Sequence, residues 1–168
     1  MNRCASGEIT DGSHLNLMKT LILLSLFVCS SIAALSAEIL YSDHRDTASF
    51  KRISEHLTGK ENAGRYHIFR TDPDARDGYY VALKLADQDS GDRIRSIKFH
   101  FVSPGSLEVE TQTLDAAPVR KQRLLVGLTH GTWSQSQRLP TAWKLDFLDG
   151  DGETLFSSQS FLWSTDPS

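Results

Sequence analysis

Cysteine is nearly absent from this 168-residue chain: Cys4 and Cys29 are the two it has, and none follows. That excludes a disulfide framework and thiolate chemistry from everything after residue 29, and leaves any zinc site to histidine and carboxylate ligands. An excess of one charge is missing too, since 18 Lys and Arg stand against 21 Asp and Glu, a formal −3. A nucleic-acid binder concentrates a basic excess on one face, and a disordered chain combines high net charge with few aromatics; neither describes this composition. No apolar run reaches the ~20 residues of a membrane span. No G-x-S-x-G nucleophile elbow is present, and no strand–glycine–helix segment supplies a phosphate loop.

The amino terminus reads as a targeting segment. Met18-Lys19-Thr20 gives a short charged start, Leu21 to Val28 is almost wholly apolar, and Ala33, Ala34, Ser36 and Ala37 supply small residues for cleavage. Residues 1–17, with Glu8, Asp11 and several Gly and Ser, suit neither a leader nor a fold and read as a mis-assigned extension. Residues 18–37 are then the signal peptide, cleavage falls near Ala37, and residues 38–168 form one domain in the periplasm or outside the cell. Cys29 sits inside the apolar run behind Phe27-Val28, which suits an apolar leader residue better than a lipidation site.

Within that domain, Glu38 to Tyr41 reads as a first strand. Asp46 then offers a helix cap, and Phe50, Ile53 and Leu57 fall on one helical face before Gly59, which predicts a single amphipathic helix over 47–58. From Tyr66 the period changes to two. Tyr79, Val81, Leu83 and Leu85 alternate with less apolar neighbours, as do Ile97, Phe99 and Phe101, and Leu124, Val126 and Leu128, and Trp143, Leu145 and Phe147. Leu107, Val109 and Thr111 are expected to point inward opposite Glu108, Glu110 and Gln112. Phe161, Leu162 and Trp163 are expected to end the last strand and close the core.

About seven strands with turn chemistry between them and no intervening helices predict a mainly β fold. The expected architecture is an antiparallel β-sandwich, with an antiparallel meander barrel as the alternative. The Trp143-to-Glu153 segment, WKLDFLDGDGE, resembles hairpins of immunoglobulin-like and fibronectin-type modules, over about a tenth of the chain. That resemblance implies a sandwich and carries no functional residues.

Candidate chemistry is sparse. Asp149-Gly-Asp-Gly-Glu153 invites a calcium reading, but the twelfth loop position is Ser160 where a bidentate carboxylate is needed, so the segment reads as a hairpin turn. The acidic stretches around Asp72 and Asp87 read as solvated turns. His44, His56, His67, His100 and His130 show no H-x-H or H-x-x-x-H spacing. No metal site, no cofactor and no catalytic residue is expected. The residues singled out for ligand binding are Trp133 and His130, in a Gly/Ser/Gln-rich loop, where a tryptophan can stack on a sugar or anchor a partner. The expected function is an exported, non-catalytic module that binds an envelope protein or glycan and no nucleic acid. The alternatives are a carbohydrate or small-ligand binder and a small enzyme whose groups meet only in space.

Overall fold

The structure of the protein, a computed structural model, describes residues 36–87, 89–116, 118–129, 133 and 139–164. The expected extension over 1–17, nearly all of the leader, and Cys29 lie outside them, as does His130. Among the described residues, eight strands form two four-stranded sheets that stay separate and do not close into a barrel. The fold is a β-sandwich.

The strands are β1 (Ala37–Arg45), β2 (Tyr66–Arg70), β3 (Gly78–Leu85), β4 (Ser96–Val102), β5 (Val109–Asp115), β6 (Arg123–Leu128), β7 (Ala142–Leu148) and β8 (Thr154–Gln159). One sheet runs β1-β3-β6-β2, the other β5-β4-β7-β8. Every pair is antiparallel except β2 with β6. A parallel pair cannot be closed by a hairpin. Here the chain leaves β2, passes through β3, β4 and β5, and returns as β6 in the same direction.

The alternation read from the sequence places the core. Val81, Leu83 and Leu85 of β3 and Leu124, Val126 and Leu128 of β6 meet Ile97, Phe99 and Phe101 of β4 and Trp143, Leu145 and Phe147 of β7, all in one buried cluster. Burying such side chains contributes roughly 1.5–3 kcal/mol each. The first sheet is buried on its other face as well. Tyr80, Ala82 and Leu125 point outward and are covered by Phe50, whose ring lies 4.9 Å from that of Tyr80. That second layer is why β3 is apolar on both sides where a half-solvated strand would show a polar face.

The cover is where the sequence expectation needs correcting. Residues 47–58 do not form one helix. A 3-10 turn, Thr47–Phe50, is followed by two extended residues and then by α1, Ile53–Thr58. The caps are those expected: Asp46 accepts from Ser49 N–H at 2.9 Å, and Gly59 closes α1 at φ 65°. With Lys51 and Arg52 extended, the two turns no longer share a face. Phe50 turns into the protein while Ile53 and Leu57 stay 84 % and 83 % exposed.

Three smaller differences follow the same logic. Residues expected as a polar turn contain a short helix, α2 (Asp89–Arg93). In β5 the phase is reversed: Leu114 is the buried residue, so Gln112 shares its side and Val109 and Thr111 face outward, with Leu107 fully exposed. Leu114, in register with Ile97, outweighs Leu107 and Val109 near the strand start, where Ser103-Pro104-Gly105 has already ended β4. The last strand stops at Gln159, and a 3-10 turn, Phe161–Ser164, carries Trp163 over the sheet surface.

The acidic hairpin is a turn held by its own side chain. Asp149 Oδ1 accepts from the N–H groups of Asp151 and Glu153, each at 3.0 Å, and Gly152 takes the left-handed φ of 83°.

Candidate functional site

The structure places Trp133 in the core. It is 6 % exposed and packs edge to face on Phe101, with ring centroids 5.6 Å apart. A ring in that position offers no open face to a sugar. His130, its expected companion, is outside the described residues, so the two are not brought together here.

Among the described histidines, His100 acquires hydrogen-bond partners from both neighbouring strands through its ring nitrogens. It lies on the outer face of β4, on the polar side the alternation assigns to it. Pairing brings Thr111 of β5 directly opposite and Asp146 of β7 one diagonal step away. His100 Nδ1 is 2.8 Å from Thr111 Oγ1, and Nε2 is 3.1 Å from Asp146 Oδ2. Asp146 Oδ1 accepts from Ser157 Oγ of β8 at 2.5 Å and from Lys144 Nζ at 3.0 Å. The indole of Trp163 sits 6.2 Å from the imidazole. A polar row thus crosses all four strands of this sheet. Chemically it is a hydroxyl–imidazole–carboxylate–hydroxyl chain able to hold and pass a proton, spread over an outer sheet face.

Burial opposes ionisation of Asp146, but the Ser157 hydroxyl, Lys144 and His100 together hold its carboxyl below the usual carboxylate range. Glu61 is held low as well, first by its hydrogen bonds from Arg70. Both carboxylates are more acidic in the folded state than in the unfolded one. Their contribution to stability is therefore complete above the unfolded pKa values and is lost as pH falls through the folded ones. Thermal melts from neutral pH into acid should show stability declining below about pH 4.5. Glu61→Gln and Asp146→Asn should flatten that slope; an unchanged slope in both variants would contradict the assignment.

A different surface is presented by α1. Glu55, about half a turn from Ile53 and Leu57 around the helix, binds Arg76 through Oε1 at 2.7 Å. Glu61 follows and takes Arg70 in a two-pronged pair at 2.9 and 2.5 Å. Arg70 also donates to the Tyr80 hydroxyl at 2.9 Å, and Tyr80 donates to the carbonyl of Arg76 at 2.8 Å. The Arg70 guanidinium lies 5.1 Å from the centre of the Phe50 ring. Asp77 accepts from the N–H of Thr47 at the start of the cover. One side of the short helix is thus paired through Glu55 to Arg76 in the β2–β3 connection, and the opposite side carries two aliphatic side chains into solvent.

The sequence did not point to this surface, because the helical spacing of Phe50, Ile53 and Leu57 reads as a buried stripe. No local signal marks it, since Lys51 and Arg52 fall between the stripe positions and are compatible with a helix. No protein-family model, no curated protein and no solved structure matches the chain.

Proposed function

We propose that the chain is an exported, non-catalytic β-sandwich module that binds another protein of the envelope or the extracellular space through α1. The observation that carries this is the exposure of Ile53 and Leu57, 84 % and 83 %, on one face of a helix whose other face carries the Glu55–Arg76 ion pair. Single exposed aliphatic residues are ordinary. An exposed aliphatic pair four residues apart on one helix face is the pattern with which a short helix enters an apolar groove. The side chains are aliphatic, which favours a protein partner over a glycan, since sugar faces are recognised by aromatic rings. No helix among the described residues is long and apolar enough to cross a membrane.

Burying the pair would contribute roughly 1.5–3 kcal/mol per side chain. The double variant Ile53→Glu/Leu57→Glu should therefore lose its partner, with affinity reduced at least ~100-fold. Its own stability should change by less than about 0.5 kcal/mol, because neither side chain is buried. Affinity purification of the processed protein from its native envelope, wild type beside the variant, makes the comparison. Recovery of the same partner by both would count against α1.

A further inference from the structure

We infer that the open edge of β2 is a binding site for an organic anion, a phosphorylated or carboxylated molecule of about the size of a sugar phosphate. This rests on groups other than those of α1 and stands independently of it.

The edge is open by construction. Thr71 N–H reaches the carbonyl of Gly127, so the odd-numbered residues of β2 turn their main-chain groups to β6. Tyr66, Ile68 and Arg70 must then direct theirs away from the sheet. Tyr66 shows this: its N–H donates to the carbonyl of Ala63, and its own carbonyl accepts from Lys121 Nζ at 3.0 Å. The N–H groups of Ile68 and Arg70 point the same way and meet no acceptor among the described residues. The N–H groups of Ile68 and Arg70, with the carbonyls of the same residues beside them, thus face outward along an edge that no other described strand covers.

Beside this edge lies a depression of about 590 Å³. That is within the ~300–1,000 Å³ of organic ligand sites, and more than a bare inorganic ion fills. Arg70, Arg120 and Lys121 line it with a single carboxylate, Glu61, although the whole chain carries a formal −3. Glu61 is already engaged with Arg70. Lys121 is held in place by two neutral acceptors, the carbonyls of Gly64 and Tyr66, both at 3.0 Å, so its charge is positioned without being cancelled by them. His67 adds an imidazole stacked on Phe69 at 4.6 Å, and burial, with Lys121 nearby, pushes its pKa below the ordinary value. Neutral at pH 7, it can accept or donate a hydrogen bond to the ligand's hydroxyls. Ala63, Ile68 and Pro118 give the site an apolar wall for a carbon skeleton. Outward amides with fixed cations recognise anionic oxygens through charge-assisted hydrogen bonds.

Calorimetric titration of the full chain at low ionic strength, where screening is weak, tests this with three probes: a hexose phosphate, the hexonate of the same sugar, and the uncharged hexose. At least one anion should bind, weakening as salt is added, and the uncharged sugar should not. Phosphate alone, carboxylate alone, or both would each support the site and identify its preferred group. Lys121→Gln should weaken binding about tenfold, the loss of one charge-assisted contact, and Lys121→Arg should retain most of it. Because Lys121 also tethers the chain at Gly64 and Tyr66, Arg120→Gln provides a second variant, with the melting temperature of each recorded. Failure of both anions to bind, equal binding of the uncharged sugar, or wild-type affinity in both glutamine variants would overturn the inference.

Discussion

Gly127→Ala should destabilise the domain by about 3 kcal/mol or more, at the upper end of what overpacking costs. A Cβ on Gly127 would stand 2.3 Å from Cε1 of Tyr80 and 2.8 Å from Cδ1 and Cζ. An exposed ring would swing aside. Tyr80 is fully buried, and its hydroxyl is tied to Arg70 and to the carbonyl of Arg76. Moving the ring would break those hydrogen bonds and shift Phe50, which packs on it and under the Arg70 guanidinium. The cost is therefore steric strain plus partly orphaned polar groups, the latter worth about 1–3 kcal/mol each. Urea unfolding measures it. Tyr80→Ala, which also opens a cavity, should reduce the further penalty of Gly127→Ala, so the double variant should fall short of the sum of the single ones. A Gly127→Ala protein within 0.5 kcal/mol of wild type, the ordinary range for surface changes, would show that the ring does not occupy this place.

Trp133→Ala is the second large effect. Aromatic-to-alanine changes in a core cost about 3–5 kcal/mol. Trp133 qualifies through its burial and its edge-to-face contact with Phe101, itself among the fully or nearly fully buried residues between the sheets. A tryptophan serving only as an exposed ligand platform would cost almost nothing when removed. Equilibrium unfolding thus separates the two roles. A large loss of stability means that Trp133 closes one end of the core, and a loss below about 0.5 kcal/mol would return it to the surface.

These two residues mark what could be read without coordinates. Strands β3, β4, β6 and β7 were legible because their apolar residues alternate cleanly, and the buried faces are those the alternation names. The phase of β5 was not, since Leu107, Val109 and Leu114 make incompatible demands and only pairing with β4 decides between them. The cover over 47–58 misled for a related reason. Lys and Arg are good helix formers, so nothing local announces that Lys51 and Arg52 are extended. The attraction of Phe50 to Tyr80, a tertiary effect, overrides propensity there. Trp133 lies among loop-forming residues, and nothing local decides whether its ring serves a ligand or folds over the end of the core, where it meets Phe101.

The polar row shows the same limit. Alternation placed His100 on the outer side of its strand, but Thr111, Asp146 and Ser157 belong to three other strands, and only the order β5-β4-β7-β8 aligns them. The parallel pairing of β2 with β6, which leaves the β2 edge open, has no local sequence signal at all.

Recognition through α1 can be read by site-specific photo-crosslinking in the native envelope. A photoreactive residue is placed at Leu57 and, as a control, at Val109, another exposed aliphatic position on the outer edge strand of the opposite sheet. Position 57 should give one reproducible protein adduct, abolished by Ile53→Glu, and position 109 should give none. An adduct from 109 with none from 57, or none from either position, would contradict recognition through α1.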